Sequence, residues 1–152
     1  TVTDGGSVGD FNSLEGTLYA EIAALNNDNT NRFLSINDGT SNNRIVLSFL
    51  STNNLNCRLK NNGVDQCSLT DAALDTLNLN KIAFTWSLNY FSLWVNGVKI
   101  TEDFTGTVPA SGTLNRLDFH AGNTGAPMFS KTNDLRVYST VLGEAELATL
   151  TT

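Results

Sequence analysis

Residues 81–100 read KIAFTWSLNYFSLWVNGVKI, and the periodicity of this stretch decides the fold class. Ile82, Phe84, Trp86 and Leu88 alternate with small or polar residues, the period-two signature of a strand with one buried face. Phe91, Leu93 and Val95 repeat it. Asn96-Gly97 stands between two β-rich runs and favours a type I′ hairpin, because both central residues of that turn need positive φ. The stretch therefore predicts three strands joined by two tight turns. Near the end of the chain, residues 133–150, NDLRVYSTVLGEAELATL, predict a strand, LRVY, and then a short helix. Gly143 falls at its N-cap and Glu146 three residues on, at the capping-box position.

The same signals recur outward from this core. Strands are predicted at 17–23, 33–36, 44–50, 55–60, 64–69, 81–88, 91–95, 98–101, 116–121 and 134–138, with turn residues between them. Many short strands so spaced indicate an all-β, two-sheet antiparallel sandwich or jelly roll. Helix is expected at 143–150, with one or two turns at 70–76. No repeat, linker or low-complexity segment divides the chain, so residues 1–152 are expected to form a single domain, long enough to bury a core without staples.

Composition narrows the partners. Fifteen acidic residues against nine basic ones give a net charge of −6, with no run of Lys or Arg. Phosphate neutralisation needs a basic patch, so no nucleic-acid partner is expected. No apolar run reaches the length of a membrane span, and the opening TVTDGGSVGD lacks the basic and apolar regions of a signal peptide. Asn clusters at Asn26, Asn27, Asn29 and Asn31, at Asn42 and Asn43, at Asn53, Asn54 and Asn56, and at Asn61 and Asn62. These fall between β-rich runs, where Asn tolerates the left-handed region and caps its own backbone. An amide also offers both donor and acceptor to a sugar hydroxyl, so loop amides are candidates for a polar ligand site.

The two cysteines lie in NCRLKNNGVDQC. A three-residue loop 61–63 would set Cys57 opposite Cys67, within reach of a disulfide. A two-residue Asn62-Gly63 turn would set Cys67 against Arg58 instead. Both registers fit the sequence, and in either the pair is structural, because nothing nearby lowers a thiol pKa.

The runs EGTLYAEI, SINDGTSNNRIV, KIAFTWSLNYFSLWVNGVKI and DLRVYSTVLGEAELATLT together resemble the laminin-G-like, concanavalin A-like jelly-roll domains, and most of all those of bacteriophage virion proteins such as tail fibres and other appendages. The resemblance runs from about Leu14 to Thr151 and includes the acidic-Ala-Glu-Leu pattern at Glu144, Ala145, Glu146 and Leu147. It implies two sheets of six or so strands, a location on the virion surface, and a non-catalytic module for host-surface glycans. The partners it implies are a host glycan, other virion proteins and further copies of the chain. A structural virion protein, such as a capsid decoration or fibre packing domain, is the alternative.

Sugar binding calls for an aromatic face with amides or carboxylates beside it. Trp94 points away from the face shared by Phe91, Leu93 and Val95, which places it on an outer or concave surface; Trp86 shares its face with Ile82 and Phe84 and reads as core. Trp94, the turn residue Tyr90, and the loop residues Asp38, Asn42 and Asn43 are the candidate ligand residues. Some relatives hold calcium, but Asp28 with Asn26 and Asn29, and Asp38 with Asn37 and Asn42, each supply one carboxylate where calcium takes six to eight oxygens. No cofactor or metal site is expected. The alternating Glu-x-Asp-x-x-Glu strand of jelly-roll glucanases is missing, and the single His120 lies in LDFHAGN with no Tyr near it, so catalysis is not expected.

Overall fold

The computed structural model describes residues 9–152; the segment 1–8, which makes up most of the opening read for a leader, lies outside the described residues. The strands are β1 (Gly16–Ala24), β2 (Arg32–Asn37), β3 (Arg44–Phe49), β4 (Leu55–Asn61), β5 (Val64–Asp71), β6 (Asn80–Ser87), β7 (Tyr90–Val95), β8 (Val98–Asp103), β9 (Arg116–Asp118) and β10 (Ser130–Tyr138), followed by the helix α1 (Glu144–Leu150). They build two antiparallel five-stranded sheets, ordered β10-β1-β6-β7-β8 and β5-β4-β3-β2-β9. This is the expected jelly-roll sandwich, with five strands a side in place of six.

Alternation does what it predicts except at Leu88, which stands exposed in the turn after β6. Leu18, Ile22, Phe84, Trp86 and Phe91 from the first sheet meet Leu34, Ile45, Phe49, Leu55 and Leu59 from the second in one buried cluster. Burying a side chain of this size stabilises the fold by roughly 1.5–3 kcal/mol. The close passage of β1 over Trp86 explains Gly16: a Cβ there would stand 2.5 Å from Trp86 Cη2 and 2.7 Å from the Tyr138 carbonyl oxygen. Turn chemistry is as read. Asn96 and Gly97, at φ 49° and 84°, close the turn that sets Val95 opposite Val98, and Asn29, Asn53, Asn62 and Asn89 also take positive φ.

Three details differ from expectation. No helix forms at 70–76, because Thr70 and Asp71 extend β5 opposite Asn56 and Leu55, and the Asp71 carboxylate then accepts the Ala73 N–H at 2.9 Å. The strand expected to reach 121 stops at Asp118. The cysteines adopt neither register: Asn62-Gly63 is a two-residue turn, but a bulge beyond Leu59 sets Cys67 opposite Leu59 and Cys57 opposite Leu69. One extra residue in a strand leaves no mark in the hydrophobic pattern. Both thiols are free and buried; burial pushes Cys67 up to about 12, and burial together with the neighbouring Cys67 raises Cys57.

At the other end of the chain, Gly143 caps α1 and its N–H donates to Glu146 Oε2 at 2.9 Å. The helix lays Leu147 onto the outer face of the first sheet. No helix among the described residues is long and apolar enough to cross a membrane.

Candidate functional site

Trp94 lies on the outer face of its sheet, as alternation requires, but α1 crosses that face. The ring packs with Ala83 and Leu147 and is 6% exposed. Its Nε1 donates to Ser92 Oγ at 3.2 Å, and Lys99 Nζ stands 5.9 Å from the ring centroid. A ring so covered has no face left for a sugar, and the stacking role expected of Trp94 is withdrawn. Tyr90 is half-buried at the start of β7, its ring centroid 5.7 Å from that of Phe104.

Asp38, Asn42 and Asn43 fall together in the β2–β3 loop, on the sheet opposite Tyr90 and Trp94. Their polar groups serve the loop itself. Asp38 accepts the N–H and hydroxyl of Thr40 at 2.9 and 2.6 Å and Asn43 Nδ2 at 2.8 Å. Asn43 Oδ1 accepts the Asn62 N–H at 2.7 Å, tying this loop to the β4–β5 turn. Partial burial is the largest single influence on the Asp38 carboxyl and pushes it up, but the bonds from Thr40 and Asn43 together outweigh it and hold the group below the usual carboxylate range. Asn42 is exposed. Asp28 makes the same kind of turn, accepting the Thr30 hydroxyl and Arg32 at 2.6 Å each. No group of three or more His, Cys, Asp or Glu that could hold a metal occurs among the described residues.

The loop borders a polar face. Directly paired residues share a face of a sheet, so the registers of the β5-β4-β3-β2-β9 sheet give its outer surface as three rows. The first runs Phe33, Ser48, Asn56, Thr70; the second Asp118, Ser35, Val46, Arg58, Ser68; the third, beside the 38–43 loop, Arg116, Asn37, Arg44, Lys60, Asp65. Four of the chain's nine basic residues therefore sit on one face of a molecule whose net charge is −6. Arg44 and Arg58 are diagonal neighbours. Burial first, and then the Arg58 charge, lower the Arg44 pKa.

Donors on this face outnumber acceptors. The Nε atoms of Arg44 and Arg58 are buried and have no hydrogen-bond partner among the described residues, and neither does that of Arg32, which pairs with Asp28 at the start of β2. Arg44 Nη1 donates to the Ala121 carbonyl, and Arg58 pairs with Asp65 at 3.5 Å. An unpaired buried donor of this kind costs about 1–3 kcal/mol, and the side chains left part-exposed to an arriving ligand are those of Arg58 and Lys60. The β9–β10 connection roofs the β2–β3 half: Ala121 packs on Phe33 and Val46, and Phe33 N–H donates to Ala126 O at 3.0 Å. The β4–β5 half is open, with Ser68, Thr70 and Asp65 exposed. Asn56, held by Ser68 Oγ at 2.9 Å and Thr70 Oγ1 at 3.0 Å, keeps its floor rigid.

Sequence reading missed these cations because it looked for a run of them. Alternation in RIVLSF and LNCRLK does place Arg44, Arg58 and Lys60 on the faces opposite Ile45, Leu47, Cys57 and Leu59. What joins them is the pairing of β3 with β4, and alternation within a strand is silent on its neighbours.

Solved structures share this architecture. The CBM40 module of the Ruminococcus gnavus IT-sialidase aligns at a TM-score of 0.73 with 18% identity over 99% of this chain and 95% of that one. Its complex with α2,3-sialyllactose matches at 0.73 and 18%, over 98% and 91%. Domain 4 of AbnA, an extracellular arabinanase of Geobacillus stearothermophilus solved with arabinotriose, aligns at 0.65 with 15% identity over 98% of this chain and 71% of that one. At such identities the likeness is one of fold. No curated protein matches the chain in sequence. The family model described as the concanavalin A-like lectin/glucanases superfamily matches residues 3–148, and the chain belongs to that superfamily.

Proposed function

We propose that this chain is a non-catalytic carbohydrate-binding module, and that its ligand is an acidic, carboxylate-bearing glycan seated on the outer face of the β5-β4-β3-β2-β9 sheet. The observation that carries the reading is the cationic face itself, where Arg58 and Lys60 stand part-exposed on its open half beside Arg44 of the paired strand. Arg58 and Lys60 supply charge, the hydroxyls of Ser68 and Thr70 meet sugar hydroxyls, and the 38–43 loop with Asn42 forms the rim. The sialyllactose complex of the Ruminococcus gnavus module supports a sialylated ligand. Against catalysis stands distance. The two carboxylates of the face, Asp118 on β9 and Asp65 on β5, are four strand spacings apart, about 19 Å at the usual interval, whereas glycosidases hold their pair within about 5–9.5 Å.

The resemblance of the sequence to virion appendage domains carries the further proposal that the module is displayed on a bacteriophage surface, where repeated copies turn weak single-site affinity into avidity. A purely structural virion role is the second reading, favoured by the exposed side chains of Leu25, Leu77 and Phe129.

The deciding experiment displays the domain multivalently and measures capture of 3′-sialyllactose and lactose, for the wild type and for a folded Arg58→Gln variant. Saturable binding of the sialylated sugar alone, weakened at least about tenfold in the variant, is expected. Binding to neither sugar, nor to other acidic glycans, sinks the ligand reading and leaves the structural role. Detection of the chain in purified particles tests the virion placement.

A further inference from the structure

The roof over Arg44 hangs on a histidine. Where the chain leaves β9, His120 Nδ1 accepts the Gly122 N–H at 3.0 Å. An amide N–H only donates, so Nδ1 is the bare nitrogen and the ring proton sits on Nε2, 3.8 Å from Asp118 Oδ1. Bonds on either side anchor the same turn: Ser35 Oγ donates to the His120 carbonyl at 2.7 Å, and Arg44 Nη1 to the Ala121 carbonyl. The rest of the loop is held against its own preference, since Thr124 at φ 63° and Ala126 at φ 49° occupy the left-handed region without being glycine. Such a segment keeps its shape only while its bonds hold.

We propose that His120 is a pH-sensing positioning residue for the glycan face: neutral, it fixes the turn that presents the Ala121 carbonyl to Arg44; protonated, it opposes a donor to the Gly122 N–H, and Arg44 loses its anchor. The binding consequence rests on the reading of this face as the ligand site. The charged groups about the ring are Asp118 on β9, itself held by Asn37 Nδ2 from β2 at 2.9 Å, and Arg44 from β3. Arg116 lies two residues before Asp118 on β9, and Asp38 belongs to the loop whose Thr40 lies against Gly122, with both its oxygens taken by Thr40 and Asn43. Protonation exchanges the Gly122 bond for a charge-assisted contact with Asp118, which gives the loop a second arrangement. Histidine is the side chain that ordinarily changes charge between about pH 5 and pH 8.

The test is a titration of the ligand-free chain from about pH 8 to about pH 5, following amide and Arg Nε–H resonances. The Gly122 and Ala121 amides and the Arg44 Nε–H are expected to move together, at the midpoint of the His120 ring itself. His120→Asn keeps an acceptor two residues before Gly122 and does not titrate, so its spectrum should match the neutral wild type and stay flat with pH. His120→Leu should resemble the acid form throughout. Affinity for 3′-sialyllactose should fall several-fold across the same transition in the wild type and not in His120→Asn. A His120 ring that titrates while Gly122 and Arg44 stay still overturns the proposal, as does a His120→Asn loop that titrates like the wild type. Loop movement without sugar binding at any pH overturns the ligand reading alone.

Discussion

Trp94 shows what alternation along a strand can and cannot tell. Its direction was legible, since Phe91, Leu93 and Val95 are buried inward and Trp94 faces out. Its cover was not, because exposure of an outward residue depends on what crosses the sheet, and here that is a helix formed by residues 144–150. The correction makes a prediction. Trp94→Ala should cost about 3–5 kcal/mol of stability, the usual loss for a buried aromatic, measured by chemical denaturation. The affinity of the folded fraction for an acidic glycan should not change, and a folded Trp94→Ala protein that loses glycan binding would put the site back under α1. Asp38, Asn42 and Asn43 carry the converse lesson. Their loop borders the polar face, but the turn-forming habit of Asn and Asp that made them visible also spends the Asp38 and Asn43 side chains on backbone amides and on each other.

At the scale of elements, the ten strands and the helix were legible because each is announced locally, by period two, by Asn-Gly turns or by the Gly143–Glu146 cap. Pairing was not, and the β4–β5 hairpin shows why. Its turn follows the sequence, yet one bulge displaces every later pair and moves Cys67 from Arg58 to Leu59. The thiols that result are buried and neutral, with Cys67 raised to about 12 and Cys57 raised as well. An unfolded thiol ionises near pH 8.5, so above that pH the unfolded chain has released protons that the folded chain still holds. Stability must therefore fall as pH rises, by up to about 1.4 kcal/mol per pH unit per thiol, from about pH 9 until the Cys67 pKa is reached. A Cys57→Ala, Cys67→Ala double variant should lose that component of the slope in denaturation series at rising pH, and an unchanged slope would show that other groups govern alkaline unfolding. Gly16 tests the sheet-to-core fit at the same scale. Gly16→Ala drives a methyl group into Trp86 and the Tyr138 carbonyl, and a cost of about 1–3 kcal/mol is expected from overpacking, read as a lowered melting temperature.

For the molecule as a whole, the arrangement of charge argues more than its total. A net charge of −6 reads as unfavourable to an anionic ligand, yet four cations are gathered on one face by the registers of β9, β2, β3 and β4. Magnitudes decide between them. A carboxylate about 4 Å from a guanidinium at an effective dielectric near 20 gains about 4 kcal/mol before desolvation, whereas six unit charges about 20 Å away in water oppose it by about 1 kcal/mol in all. Salt removes most of the second term, because the screening length at physiological ionic strength is about 8 Å, and removes less of a partly buried contact. Affinity for 3′-sialyllactose should therefore change by no more than about tenfold between about 0.05 M and about 0.5 M salt, far from the steep loss of a protein that releases many counterions from a polyanion. In the Arg58→Gln variant the local attraction shrinks while the distant repulsion stays, so its residual affinity should hold steady or rise with salt. A steep fall in both proteins would place the binding charge outside this face, spread over the surface at large.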